Sequence, residues 1–147
     1  MLTKVTGEVF REIDSEHQEL ERQYAAFDEF LNGEHVQCVL LRRRLAELAV
    51  ILKCHFEHEE EEGYFAEIIA LAPRLSYEAE ELEAEHDALL GRLEYLDDQL
   101  TTVPDDPCEI AKLRQEFADF IASCRDHEHR ETALVQEAWL TDIGLGE

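Results

Sequence analysis

Residues that interrupt helices are scarce in this chain. Its 147 residues include only six glycines and three prolines, and the expected breaks lie near Asn32-Gly33, at Pro73 and within 101–107, where all three prolines and one glycine stand. Because proline ends a helix and glycine weakens one, the stretches between these points are free to form helices. The scarcity favours four long helical segments over a fold with many turns.

Basic residues are also few, which excludes several classes of partner. Lys and Arg total 13 against 36 Asp and Glu, a formal net charge of −23 at pH 7. Such a charge repels nucleic acid and anionic membrane surfaces, so neither is expected as a partner. The hydrophobic fraction of 45% separates the chain from disordered acidic tails. Its length suits one domain, residues 1–147.

Long apolar runs and paired cysteines are missing as well. No stretch approaches the roughly 18 to 20 apolar residues of a membrane span, and the first ten residues lack a signal-peptide core, so a cytoplasmic protein is expected. No CxxC pair indicates a zinc knuckle or a redox pair. Four cysteines are expected to be reduced core residues or bystanders. They are Cys38, Cys54, Cys108 and Cys124.

Each segment between the breaks carries an apolar stripe whose members recur at steps of three and four residues. This is the pattern of a helix that buries one face. Asp106, Pro107 and Glu109 have the features of a helix start, so the fourth helix is expected to begin there. Short connections between long helices favour antiparallel neighbours. The sequence therefore predicts an all-α fold, an up-down-up-down antiparallel four-helix bundle.

One histidine interrupts the stripe of every segment. These four are His17, His55, His86 and His127. Two of them are followed four residues later, on the same helical face, by a glutamate, namely Glu59 and Glu131. A single core histidine is explained more simply by packing and one hydrogen bond. One inward histidine in every helix, with two glutamates that rarely lie buried unpaired, instead predicts a shared metal centre.

The other polar residues near these positions are expected to lie outside the centre. His35 stands at a helix start, and His58 and His129 fall beside the stripes, so they are interpreted as surface groups or groups behind the ligands. The neighbouring carboxylates are interpreted as solvated charges, although one of them could enter the metal shell. They are Glu57, Glu60, Glu61, Glu62, Asp126 and Glu128.

The predicted ligand set favours iron over zinc. Four imidazoles and two carboxylates exceed the four ligands of a tetrahedral zinc, but they suit two iron ions bridged by carboxylates and an oxo or hydroxo group. Two adjacent iron ions can together bind or reduce dioxygen, peroxide or nitric oxide. The predicted cofactor is therefore a non-heme di-iron pair, and the predicted partner is such a small ligand.

These residues resemble the hemerythrin-like (HHE cation-binding) domain, a four-helix fold. The resemblance lies in DSEHQELERQ, HFEHEE, EAEHDALL and HEHRE, whose order is a lone His, HxxxE, a lone His and HxxxE. It covers nearly the whole chain. The resemblance implies that all six residues named above bind iron, with Glu59 and Glu131 as the bridging carboxylates.

The chain departs from oxygen-carrying hemerythrins at three positions. Leu82 and Leu90 stand where those proteins place a further histidine, and Thr132 stands where their last motif ends in aspartate. One iron would then lack a protein ligand, and water, Glu83 or Tyr24 is expected to fill the place. An additional open position favours reaction or sensing over reversible storage of dioxygen.

Several functions fit these observations. The leading hypothesis is a di-iron protein that binds dioxygen or a related small oxidant, as a sensor or scavenger of oxygen, iron or nitric oxide, and sensing would require a separate protein partner. A second is an enzyme that turns over peroxide or nitric oxide, with Tyr24 and Tyr64 near the site. A third is an acidic helical interaction module without metal. Ferritin-like proteins use ExxH pairs on two helices, and only Glu83 with His86 has that form on an inward face here.

Overall fold

The computed structural model describes residues 4–33, 38–102 and 107–140 and contains five α-helices there. They are α1 (Lys4–Leu31), α2 (Cys38–Glu61), α3 (Tyr64–Leu71), α4 (Ser76–Thr102) and α5 (Pro107–Leu140), with one 3₁₀ turn at Pro73–Leu75 before α4. No strand occurs in these ranges, so the predicted all-α class is confirmed. None of the described helices is both long and apolar enough to cross a membrane.

The apolar stripes form the interior. α1 and α4 each contact α2 and α5, and stripe residues such as Leu20, Leu48, Leu89 and Phe117 are buried between them. Burial of such side chains stabilises the fold by about 1.5–3 kcal/mol each. The prediction of one buried face per long segment is confirmed.

Two apolar clusters lie along these stripes. The larger one, the leucine core, draws on α1, α2, α4 and α5. Its members include Leu20, Leu41, Leu45, Leu48, Leu52, Phe56, Leu89, Leu93, Phe117 and Phe120. The smaller one, the α3 core, combines α3 with α1, α4 and α5. Its members include Phe10, Ile13, Tyr64, Phe65, Ile68, Leu75, Leu82 and Leu134.

The predicted ligands fall between these two clusters. In α1, His17 lies between Ile13 of the α3 core and Leu20 of the leucine core. In α4, His86 separates Leu82 from Leu89 in the same way. Because both neighbours belong to packed apolar clusters, the two histidines are held at a defined depth inside the protein.

The second predicted segment is divided at Gly63. Its backbone has φ 71°, a left-handed conformation that favours glycine. The chain turns there, and α3 begins at the buried Tyr64 and ends shortly before Pro73. The sequence predicted one helical segment up to Pro73, and the structure shows a separate eight-residue helix after Gly63 instead.

Some predictions lie at or beyond the limits of the described residues. α5 begins at Pro107 as predicted, but the aspartate before it, His35 and the tail 141–147 lie outside the described ranges. Three cysteines are free thiols, of which Cys124 is buried, Cys38 half-buried and Cys54 exposed. The side chain of Cys108 is not among those described.

Candidate metal centre

All six predicted ligands meet in the interior, where they form two overlapping groups. One group is His17, His55, Glu59 and Glu131, and the other is Glu59, His86, His127 and Glu131. Within each group, one ligand atom of every residue lies within 4.8 Å of the others. The two glutamates are therefore shared, whereas each pair of histidines belongs to one group.

The two oxygens of Glu59 face different histidine pairs. Its Oε2 lies 3.4 Å from Nε2 of both His17 and His55, and its Oε1 lies 3.1 Å from Nε2 of His86. The side chain is fully buried at 0% exposure. A carboxylate oriented in this way can place one oxygen on each of two neighbouring cations.

Glu131 approaches the same two pairs from α5. Its Oε1 lies 3.0 Å from Nε2 of His17, and its Oε2 lies 2.7 Å from Nε2 of His127 and 3.4 Å from Nε2 of His86. It is also fully buried at 0% exposure. Glu59 and Glu131 thus have the same relation to the two histidine pairs, although they come from different helices.

The Nδ1 atom of every inward histidine has an oxygen partner. For His17 it is the Thr132 hydroxyl, at 3.4 Å. For the other three it is a carboxylate: Glu16 for His55 at 2.6 Å, Glu85 for His127 at 2.9 Å, and Glu60 for His86 at 3.3 Å. A carboxylate at Nδ1 favours the tautomer that carries its proton there, which leaves the Nε2 lone pair available to a metal.

Further groups support these outer carboxylates. His58 is 24% exposed, and its Nδ1 lies 2.6 Å from Glu16 Oε2, so it stands behind His55 as the sequence suggested. Arg130 donates to Glu85 at 2.6 Å. These contacts hold the pKa of Glu16 and that of Glu85 below their usual values, although burial alone would raise both. Both carboxylates are therefore ionised acceptors at neutral pH.

The centre has an excess of buried polar atoms without aligned partners. Among the described residues, eight buried side-chain N or O atoms lack a hydrogen-bond partner, and seven of them belong to this centre or to Glu128. They include Nε2 of His17, His55 and His127. Burying such atoms costs free energy unless they are paired. Bound cations would satisfy the imidazole nitrogens and carboxylate oxygens together, so these residues fit a metal centre.

The pKa values of the two shared carboxylates also favour a metal centre. Burial, together with the charge of Glu131, raises the pKa of Glu59 well above its usual value. Burial also raises the pKa of Glu131, but His127, His17 and His86 outweigh it and hold that pKa well below the usual value. Burial lowers the pKa of His55, which therefore stays neutral. A metal ion would replace the proton on Glu59, since ligands bind metals in their deprotonated form.

The interpretation of Glu128 as a solvated charge is wrong. It is only 5% exposed, the Tyr24 hydroxyl donates to its Oε2 at 2.7 Å, and its Oε1 lies 3.9 Å from His55 Nε2. Burial raises the pKa of Glu128 to about 7. The available signal was its spacing, because Glu128 lies four residues after Cys124 and three before Glu131, both on the buried stripe.

The remaining polar neighbours are less buried. Glu83, one of the groups expected to complete the metal shell, is half-buried and belongs to neither ligand group. Glu60 was predicted as a solvated charge, but it also contacts Nδ1 of His86. Six other groups beside the motifs are exposed. They are Glu57, Glu60, Glu61, Glu62, Asp126 and His129.

The two histidine pairs differ in access to solvent. A pocket of about 730 Å³ between α1 and α5 is lined by His17, Tyr64, Thr132 and other residues, and the His17 side chain is 9% exposed. His86 is covered instead, because the ring of Phe56 stacks on it with centroids 3.9 Å apart. A small molecule can therefore approach the centre from the His17 side.

The chain matches the family model described as the hemerythrin HHE cation binding domain over residues 8–139. No curated protein and no solved structure matches it. The matched range includes all six residues of the two ligand groups. Because the match covers well over half of the chain, the protein belongs to the hemerythrin HHE cation-binding domain family.

Proposed function

We propose that this protein is a non-heme di-iron protein that binds dioxygen or a related small oxidant. Its role would be to sense, bind or scavenge oxygen, iron or nitric oxide. The observation that carries the proposal is that Glu59 and Glu131 each direct one oxygen to each histidine pair. The proposal includes an up-down-up-down antiparallel arrangement of the four long helices, as one domain in the cytoplasm.

In this proposal the two ligand groups each hold one iron ion. His17 and His55 would bind one ion, His86 and His127 the other, and the two glutamates would bind both. The donors are imidazole nitrogens and carboxylate oxygens without cysteine, and six of them exceed the four ligands of a zinc site, so iron suits the set better. When bound, the iron pair supplies electrons and open positions for a small oxidant.

The surrounding side chains limit what reaches the centre. Phe56 and Phe65 cover His86 with ring centroids 3.9 and 5.4 Å away, which excludes water from that side. The pocket beside His17 leaves a path for a small molecule. The arrangement therefore favours small ligands that enter from the His17 side.

Two tyrosines near the centre remain protonated. Burial, with the charges of Glu131 and Glu59, raises the pKa of Tyr64 well above its usual value. Burial also raises the pKa of Tyr24, whose hydroxyl donates to Glu128. Tyr64 lines the pocket and can donate a hydrogen bond there. This donor is the observation that favours the second candidate function, an enzyme that turns over peroxide or nitric oxide.

Iron loading of ligand variants tests the proposed centre. The wild-type protein, loaded with ferrous iron under anaerobic conditions, is expected to retain two ions per chain. His55→Ala combined with His127→Ala should lose both, because each ion loses one of its two imidazoles. His129→Ala is the matched control, since His129 is exposed and adjacent to the motif. Absence of iron from the wild type would favour the metal-free interaction module, and full retention by the double variant would remove these histidines as ligands.

Rapid mixing then separates the candidate functions. The iron-loaded, reduced protein is mixed with dioxygen, peroxide or nitric oxide, and its visible absorption is followed with time. A persistent and reversible spectral change supports binding or sensing, whereas repeated consumption of the added oxidant supports catalysis. No spectral response to any of the three would contradict a role in oxidant binding.

A further inference from the structure

A third buried carboxylate lies beside the two shared glutamates. Among the described residues, Glu128 is the one buried acidic side chain outside the two ligand groups. It precedes Glu131 by three residues on α5, which places both on neighbouring parts of the same helical face. Its exposure is 5%, so water cannot solvate it as it would a surface carboxylate.

The orientation of this carboxylate is set by one hydrogen bond. The Tyr24 hydroxyl on α1 donates to Oε2 at 2.7 Å. The other oxygen, Oε1, is buried without a hydrogen-bond partner and lies 3.9 Å from Nε2 of His55. Nε2 of His55 is itself without a hydrogen-bond partner. Two unpartnered metal-ligating atoms at this separation can be satisfied by one cation bound to both.

No equivalent carboxylate serves the other histidine pair within the described ranges. Glu60 and Glu85 lie near His86 and His127, but each contacts the outer Nδ1 atom of its histidine. They fix the imidazole orientation and face away from the shared glutamates. The two halves of the centre are therefore chemically unequal.

We propose that Glu128 is a terminal carboxylate ligand of the metal ion held by His17 and His55, with Tyr24 as the residue that positions it. The inference rests on the proposed di-iron centre and deepens it. Counted in side chains, that ion has five protein ligands, and the ion at His86 and His127 has four. Water, Glu83 or Tyr24 was expected at the place of the missing histidine, four residues from His86. Glu128 lies at the other histidine pair instead, beside His55, and Tyr24 positions it.

The test compares Glu128→Gln with wild type in anaerobic titrations with ferrous iron. Glutamine retains the size and can still accept the Tyr24 hydrogen bond, but it loses the anionic ligand. We expect one of the two ions to bind at least about tenfold more weakly, while the other is retained. Mössbauer spectra of the loaded protein should show two unequal iron signals in wild type, of which one changes in the variant. Glu80→Gln, at an exposed position on α4, is the control and should bind both ions as wild type does.

Thermal unfolding distinguishes a ligand from a merely structural group. Without metal, Glu128→Gln should unfold at the same temperature as wild type or higher, because it removes an uncompensated buried charge. The increase in Tm on adding iron should be smaller than in wild type. A structural carboxylate would give the opposite result, a less stable metal-free protein with an unchanged response to iron.

Tyr24→Phe provides a second variant. It leaves the carboxylate in place but removes the hydrogen bond, so the same ion should bind more weakly and the same iron signal should broaden or shift. If wild type binds two ions and both variants bind them with unchanged affinity and spectra, the role of Glu128 is refuted while the di-iron proposal stands. If wild type binds no iron, the di-iron proposal itself fails, and this inference fails with it.

Discussion

The leucine core and the metal centre occupy the same helical stripes but are stabilised in opposite ways. In α2, Leu48 and Leu52 of the core and Glu59 of the centre are all buried at 0% exposure. The leucines need only apolar contacts to be stable in the interior. Both oxygens of Glu59, in contrast, lack a hydrogen-bond partner there. Stripe position therefore determines depth, and residue type determines whether the buried group needs a ligand.

This difference has an energetic consequence. Every apolar side chain in the leucine core stabilises the metal-free fold, because it is removed from water. In the centre, the buried carboxyl of Glu59 opposes folding until a cation compensates it, whereas three histidines already compensate Glu131 in part. Substitutions in the core should thus affect metal-free and iron-loaded protein alike, while substitutions in the centre should affect the two forms differently.

The largest effect, the loss of both ions, is expected when the centre is converted into core. Glu59→Leu replaces a carboxylate shared by both ligand groups with an apolar side chain of similar size. Iron content should fall from two ions per chain to nearly none, while the metal-free protein should be stabilised by about 1–4 kcal/mol. Metal analysis and urea unfolding measure the two results. A less stable metal-free variant would show that Glu59 is already well paired without metal.

The next effect concerns the core alone. Phe117 is fully buried, and its ring stacks on that of Phe27 with centroids 6.1 Å apart. Phe117→Ala should destabilise the protein by about 3–5 kcal/mol, equally in the presence and absence of iron, as measured by urea unfolding. Val50→Ala, at an exposed position, is the control. A loss that appears only in the iron-loaded protein would couple the core to the centre and contradict the division between them.

A pH effect of about 3 kcal/mol is expected from Glu128. Its pKa is about 7 in the folded protein, against an ordinary value of 4.5. Below the ordinary value both states are protonated. As the pH rises toward 7, the unfolded chain releases a proton that the folded protein keeps, so the stability of the metal-free protein falls.

Glu128→Gln provides the comparison for this pH effect. Urea unfolding at about pH 5 and about pH 8 should show a larger decrease for metal-free wild type than for the variant. Iron should reduce the decrease in wild type, because a metal ion replaces the proton. Identical pH profiles of the two proteins would mean that this carboxyl titrates normally in the folded protein.

The smallest effect is expected from the carboxylates that contact the Nδ1 atoms of the histidines. Glu85→Gln weakens the acceptor 2.9 Å from Nδ1 of His127, and such outer partners change metal affinity by about 10- to 100-fold. In an iron titration of this variant, one ion should bind more weakly than in wild type and the other should bind with unchanged affinity. Glu81→Gln, exposed on the same helix, serves as control. An equal loss of affinity for both ions would contradict the assignment of His127 to one ligand group.

The sequence predicted which residues of each helix face the interior, because this depends only on their spacing along the chain. Each inward histidine interrupts an apolar repeat, so its burial followed from helical periodicity alone. Glu59 and Glu131 followed from their distance of four residues to His55 and His127. The pairing of the histidines into two groups did not follow, because it depends on which helices are neighbours and how each is rotated.

The missed features depend on distant contacts or backbone angles. The burial of Glu128 could have been inferred from its spacing to Cys124 and Glu131, but its orientation depends on Tyr24, which is 104 residues away. Gly63 lies inside a predicted helical segment, and its positive φ decides that the chain turns there and forms α3. Glu16 is paired with His55 across 39 residues, and no local spacing could indicate that contact.

The central claim is that two cations share Glu59 and Glu131 between the two histidine pairs. The most direct test is a crystal structure of the iron-loaded protein with anomalous difference maps recorded at the iron absorption edge. We predict two iron peaks, one bound by His17 and His55 and the other by His86 and His127, both in contact with the two glutamates. A single peak, or iron bound only outside these six residues, would contradict the claim.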